Sequence, residues 1–455
     1  MSAAHTISAS TPDTAGRGGG RTALAGAKEV TALQGTLNGL FGLVAARRPR
    51  EVVVADADRA LTYESAESSS DRLASALLRC GVQLGDPLLV HCSDRAQGLV
   101  AQLAVLKLGG VCVPVPHGAD DASLARIADL SGATLVLGSA ATRERWSLPV
   151  VVLDDERTWA KIKPFRTDGS LPRSGPADVA YLLPEFGSDG GVTGHLVDHT
   201  AWLFAVNARL RRAGRPARGV TVGQGVGGAR DLAAMWWAIA AGGRLQGPRP
   251  PGTGEAAPRL HGSGTAAVYG ADEYEAVLAA ARPGAGKRSG TVLVTGGPLP
   301  AGLVERHAEL LPFTRLLAEF SPRDGAMPWT AADCTADARK AAGRTVMGAA
   351  VPRVRVTVRD ADGGILPPGG TGQIWAAGTA MPFDRLCDGC HELAASHRGS
   401  LTNSGYTGRW TASGSLEVLG RTGPHAHAGR SRAGHREDTG LDRVAGVPLR
   451  QLSWH

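Results

Sequence analysis

From about residue 30 the chain alternates short apolar runs with segments whose apolar residues recur at helical spacing. Leu73, Ala74, Leu77 and Leu78 fall on one helix face, and Gly81 follows as a C-cap. Leu84-Gly85-Asp86-Pro87 reads as a turn, and Leu88 to His91 as a buried strand. Leu99, Leu103 and Leu106 mark a second helix closed by Gly109-Gly110, and Val111 to Val115 is the next strand. Asp120 or Asp121 caps a third helix carrying Leu124, Ile127 and Leu130. Thr134 to Leu137, Val150 to Leu153 and Ala180 to Leu183 continue the strands. Such alternation predicts an α/β fold, with parallel sheet covered by helices.

The pattern breaks at Gly247 to Pro258, which is rich in Pro and Gly, and resumes with a strand at Thr291 to Thr295 and a helix around Leu303 to Leu311. From Val351 the texture is strands and turns. Val354, Val356 and Val358 alternate with polar residues, Asp362-Gly363-Gly364 is a turn, and Gln373 to Ala376 and Leu416 to Leu419 are further strands. This predicts a β-rich lobe. The expected organisation is a disordered segment at 1–30, a folded core at 31–421, and a basic His/Arg/Gly-rich disordered tail at 422–455. The tail is so unlike the core that a frameshifted end is a further reading of it.

Composition narrows the picture. At 455 residues the chain can hold roughly two to four compact units. No run approaches the roughly 18 to 20 apolar residues of a membrane span, and Met1 to Gly26 has no apolar signal region. A cytoplasmic protein without membrane contact is expected, with its scattered cysteines as reduced thiols. The net charge of +7 comes almost wholly from dispersed arginine, and lysine occurs only at positions 28, 107, 161, 163, 287 and 340. Few aromatics are interleaved, so no stacking platform for nucleic acid is visible and no nucleic-acid partner is expected.

A longer set of matches carries the chemistry. Leu61-Thr62-Tyr63-Glu64, Gly81-Val82 and Gly85-Asp86 come first, followed by Leu103 through Gly110 with Val113-Pro114. Thr295-Gly296-Gly297-Pro298-Leu299-Pro300, Leu310-Leu311-Pro312 and Arg315-Leu316 follow, then Leu366-Pro367-Pro368-Gly369, Gly372 and Leu419-Gly420-Arg421. In this order, from about Leu37 to Arg421, they resemble the adenylation domains of nonribosomal peptide synthetases, within the adenylate-forming (AMP-binding) superfamily. The resemblance implies the large N-terminal subdomain of that fold, with two parallel-sheet α/β lobes and a β-rich lobe. It also implies ATP- and Mg²⁺-dependent conversion of an amino or carboxylic acid to an acyl-adenylate, then transfer to a thiol. A carrier protein or a pathway enzyme is the implied partner.

Residue by residue, the resemblance is uneven. The phosphate loop corresponds to Gly187-Ser188-Asp189-Gly190-Gly191-Val192-Thr193-Gly194, which places Ser188, Gly190 and Gly194 at the nucleotide. Thr193 stands where the family has lysine, and Asp189 adds a negative charge where phosphate would lie. Phe320-Ser321-Pro322-Arg323-Asp324 corresponds to the aromatic–Gly–Pro–Thr–Glu motif, so Phe320 is placed against adenine and Asp324 on Mg²⁺. Ser404-Gly405-Tyr406 corresponds to the ribose-binding Thr-Gly-Asp, with Tyr406 in place of the carboxylate, and Arg421 matches a late family arginine. His199, Ala229 and Asp231 are placed in the acid pocket. Ala229 stands where amino-acid-activating members have aspartate, and Asp231 is a substitute two residues away. The family's mobile C-terminal domain supplies a catalytic lysine, and no lysine follows Lys340.

Other signals stay outside this picture. Gly223 to Gly228 fits G-x-G-x-x-G but lacks the acidic residue that dinucleotide binding requires further on. Cys387-Asp388-Gly389-Cys390-His391 spells a haem attachment motif in a chain without a haem fold, and His425, His427 and His435 sit in the tail. The expected protein is a degenerate adenylation-domain-like copy of secondary metabolism, impaired in activity or a pseudoenzyme. The alternative is an active AMP-forming acid ligase that works with a C-terminal domain supplied in trans.

Overall fold

Helix starts follow local chemistry. Thr62, Asp94, Asp120 and Asp198 adopt extended backbone, and their side-chain oxygens accept from the N–H groups of Ser65, Gln97, Ser123 and Ala201. They open helices Tyr63–Arg79, Arg95–Lys107, Asp121–Ser131 and His199–Ala213. The computed structural model describes residues 35–55, 60–165, 171, 174–187, 191–222, 226–247, 264–281, 289–322, 325–337, 346–387 and 401–422. The segment 1–30 and almost all of the 422–455 tail lie outside them.

Three sheets organise these residues. A seven-stranded sheet runs in the spatial order Asp384–Cys387, Val192–Asp198, Val179–Phe186, Val111–Pro114, Pro87–His91, Val136–Gly138 and Val150–Val152. From Val179–Phe186 onward neighbours are parallel, and the first two strands join antiparallel. A nine-stranded sheet has a parallel centre built from Gly219–Thr221, Leu245–Gln246, Thr265–Tyr269, Gly290–Gly296 and Thr314–Phe320, with antiparallel strands at both edges. The third sheet, Val354–Arg359, Gly372–Gly378, Thr402–Trp410 and Leu416–Arg421, is antiparallel throughout. The expected α/β class and β-rich lobe are both present, with antiparallel edges added to the parallel lobes.

The two large sheets share one core. Helices Leu37–Arg47, Tyr63–Arg79, Arg95–Lys107 and Ala229–Ala241 pack there with strand residues from both sheets, such as Val53 and Leu88. Helix Ala229–Ala241 is buried from Leu232 to Ile239, as its nearly unbroken apolar sequence requires. A second core joins the carboxyl half of the nine-stranded sheet to the β-rich lobe through Val292, Leu316, Phe320, Ile374, Tyr406 and Leu416. Cys80, Cys92 and Cys112 carry free thiols among the described residues. No helix among them is long and apolar enough to cross a membrane.

Candidate active site

The residues placed at the nucleotide converge where the second core meets the carboxyl ends of the nine-stranded sheet. Phe320 ends strand Thr314–Phe320 and is 0% exposed. Trp329 stands edge-on to its ring with centroids 6.2 Å apart, and Tyr406 does so at 5.4 Å. Both are favourable quadrupole arrangements. Beside the ring, Ser321 donates its N–H to Gly296 O at 2.8 Å, and its hydroxyl lies 3.2 Å from that of Thr295.

Tyr406 sits opposite Arg421 in the antiparallel pair of strands Thr402–Trp410 and Leu416–Arg421. Arg421 Nε donates to the tyrosine hydroxyl at 3.1 Å, and the guanidinium carbon lies 5.4 Å from the ring centroid. The hydroxyl also reaches the glycine pair: a Cβ built on Gly297 would lie 3.3 Å from it. Gly405, at φ +77°, supplies the left-handed turn before it, and Ser404 Oγ accepts the Tyr406 N–H at 3.0 Å. One side chain therefore touches Phe320, Gly297 and Arg421 together.

A buried ion pair holds the loop after Phe320. Arg209 Nη2 lies 2.6 Å from Glu319 Oε2, with the side chains 0% and 5% exposed. The same nitrogen donates to Ala326 O at 3.1 Å, and Nη1 to Ala233 O at 3.4 Å. The pair thus fastens the stretch around Phe320 to helix Ala229–Ala241. Gly325 completes the approach, since a Cβ built there would lie 3.6 Å from that of Ala229.

Helix Ala229–Ala241 begins at Gly228 and puts Asp231 in its first turn. The Asp231 carboxylate turns back on the cap: a Cβ built on Gly228 would sit 3.0 Å from Oδ2. His199 is 1% exposed, and its Nδ1 accepts the Leu37 N–H at 3.1 Å. Burial depresses its pKa to about 4, so this imidazole is a neutral acceptor anchoring helix Leu37–Arg47.

Three expectations change here. Gly194 belongs to strand Val192–Asp198 rather than to the loop, pairing with Pro184 and Leu386. It lacks a side chain for packing reasons, since a Cβ would come 2.5 Å from Leu182 Cδ1. Phe320 is enclosed on all sides, so adenine stacking requires its neighbours to move first. His199 holds a helix terminus through a backbone hydrogen bond. Ser188, Gly190 and Asp324 lie outside the described residues, as do Asp189 and Arg323. The residues that are described do not fit a nucleotide held in the family's manner: Tyr406 has no carboxylate to offer a sugar and packs against the ring expected to take adenine.

Sequence reading missed two polar pairs. The Arg209–Glu319 bridge spans 110 positions, which no local pattern encodes. His195 Nε2 lies 2.8 Å from Glu185 Oε2 across the hairpin that carries Thr193. Strand alternation over 179–198 would have brought these two residues to one face.

The AMP-binding enzyme family matches residues 41–190. The chain is 30% identical over 409 residues to phosphinothricin tripeptide synthetase PhsB of Streptomyces viridochromogenes, covering 85% of this chain and 33% of that protein. It is 26% identical over 394 residues to isonitrile lipopeptide synthase of Mycobacterium tuberculosis, covering 83% of this chain and 15% of that one. The chain thus spans a third or less of the curated relatives it matches. Its fold matches the N-terminal subdomain of Klebsiella oxytoca NpsA with a TM-score of 0.70 at 15% identity, over 85% of this chain and 100% of that one. Residues 41–190 thus match the AMP-binding enzyme family, and over 85% of its length the chain has the fold of the NpsA N-terminal subdomain.

Proposed function

We propose that this chain is an adenylation subdomain of nonribosomal peptide or related secondary metabolism whose nucleotide site is closed by its own side chains. The family activity is ATP-dependent activation of an amino or carboxylic acid as acyl-adenylate, with delivery to a carrier-protein thiol. Mg²⁺ at Asp324 belongs to that activity, and its place lies outside the described residues. In this copy the activity is impaired.

The observation that carries the reading is Tyr406. By the resemblance it stands where the family has the ribose-binding carboxylate, and it packs edge-on to Phe320 at 5.4 Å and accepts from Arg421 Nε at 3.1 Å. Charge-assisted bonds of the kind lost here are worth about 1.5–3 kcal/mol each. Restoring the carboxylate removes the ring and returns the acceptor in one change. Calorimetric titration with ATP and Mg²⁺ is expected to show no saturable binding to the natural chain and measurable binding to Tyr406→Asp. Pyrophosphate exchange over a panel of amino, aryl and fatty acids completes the test. Tight ATP binding or robust exchange by the natural chain overturns the proposal.

A further inference from the structure

The seven-stranded sheet ends at Val150–Val152, which pairs on one side only, parallel to Val136–Gly138. Pro149 O accepts the Val136 N–H at 3.0 Å, and Leu153 N–H donates to Gly138 O at 2.8 Å. Backbone direction alternates along a strand, so positions 149, 151 and 153 face the sheet. Val150 and Val152 therefore turn their N–H and C=O groups outward, where none has a hydrogen-bond partner among the described residues. The strand is half-buried, and an unpaired edge of this kind is a template for another strand.

This edge opens onto a cavity of about 820 Å³ walled by helices Tyr63–Arg79, Ala140–Arg143 and Glu156–Ile162. Leu73, Leu77, Ile162 and Phe165 give the cavity an apolar floor. Arg143, Arg157 and Lys161 line it too, and their side chains form no ion pair among the described residues. Two carboxylates share the lining. Asp155 is spent on its own helix, accepting the N–H groups of Arg157 and Thr158 at 3.2 Å and the Thr158 hydroxyl at 3.0 Å. Glu144 is the remaining counter-charge. Arg157 and Lys161 stand one turn apart on one helix, where like charges repel until an anion lies between them. The walls are fixed in place, since Trp159 Nε1 donates to Leu153 O at 2.6 Å and Ala140 N–H to Asp154 Oδ1 at 2.7 Å.

Each feature specifies part of an occupant. An open strand edge pairs with extended backbone, an apolar floor takes alternate apolar side chains, and the uncommitted cations take carboxylates between them. We infer that this groove receives an extended segment of a partner protein, with acidic and apolar residues in alternation, added as an outer strand beside Val150–Val152. A second copy of this chain fits less well, because joining two such edges sets arginine and lysine against their like. The groove shares no residue with the site at Tyr406.

The test uses the full chain and three fluorescein-labelled peptides: alternating Glu and Val, the same peptide with its amides N-methylated, and alternating Lys and Val. Anisotropy titration is expected to show saturable binding of the Glu–Val peptide, at least tenfold weaker binding after N-methylation, and none of the Lys–Val peptide. Lys161→Glu, at an exposed position, is expected to weaken the Glu–Val peptide about tenfold. Arg355→Glu, the same charge reversal at an exposed position of the β-rich lobe, is expected to leave it unchanged. No saturable binding of the Glu–Val peptide, equal binding of its N-methylated form, or an unaffected Lys161→Glu variant overturns the proposal. Dimerisation of the natural chain that Lys161→Glu alters would give the edge to a second copy, and overturns it as well.

Discussion

Arg209 and Glu319 stand 110 positions apart and meet inside the protein, Nη2 to Oε2 at 2.6 Å. The arginine comes from helix His199–Ala213 and the carboxylate from the residue before Phe320. Because Arg209 also donates to Ala233 O and Ala326 O, this pair sets the distance between helix Ala229–Ala241 and the motif that begins at Phe320.

Breaking that pair leaves an uncompensated buried charge. Arg209→Met is expected to lower the unfolding free energy by about 3–5 kcal/mol. Urea denaturation measures it, and a loss under about 1 kcal/mol would show that water or a neighbour takes over the Glu319 carboxylate.

Tyr406 separates packing from hydrogen bonding. Tyr406→Phe keeps the edge contacts with Phe320 and loses only the Arg421 bond, so about 0.5–1.5 kcal/mol is expected. Tyr406→Ala empties the space and is expected to cost about 3–5 kcal/mol. Equal losses for the two variants would contradict a packing role for the ring.

Acid titrates His199. Its folded pKa of about 4 lies below the ordinary 6.5, so between these values the unfolded chain binds more protons than the folded one. Stability is therefore complete above about pH 6.5 and falls as the pH drops toward 4, by roughly 2–3 kcal/mol from this group. His199→Gln, which keeps an acceptor for Leu37 N–H, is expected to flatten that part of the pH–stability curve. An unchanged slope would assign the acid sensitivity to other histidines.

Gly194 tests strand against loop. Gly194→Ala places a methyl 2.5 Å from Leu182 Cδ1, and overpacking of this order costs about 1–3 kcal/mol. Thermal unfolding without any ligand reads it. A variant as stable as the natural chain would return Gly194 to the phosphate loop.

Local pattern made much of the fold legible. The spacing of Leu73 and Leu77, the cap at Asp120 and the alternation of Val354, Val356 and Val358 each report a preference carried by a few adjacent residues. Helix Ala229–Ala241 follows the glycine-rich stretch that ends at Gly228, and it is apolar nearly all round because it is buried on every side. Strand Val192–Asp198 escaped because its glycine and polar residues resemble a loop until they are paired with Val179–Phe186.

By itself, the sequence determined the α/β class, the order of the lobes and the resemblance to adenylation domains, since ordered motifs and periodicity are properties of neighbours along the chain. It also showed Tyr406 where a carboxylate was expected. Only the tertiary structure decided that this ring meets Phe320 and Arg421, that His199 serves a helix end, and that helices Tyr63–Arg79 and Glu156–Ile162 wall a cavity beside strand Val150–Val152. The physical reason is that burial, pairing and pKa depend on atoms brought together across long separations, and no local preference specifies which atoms those will be.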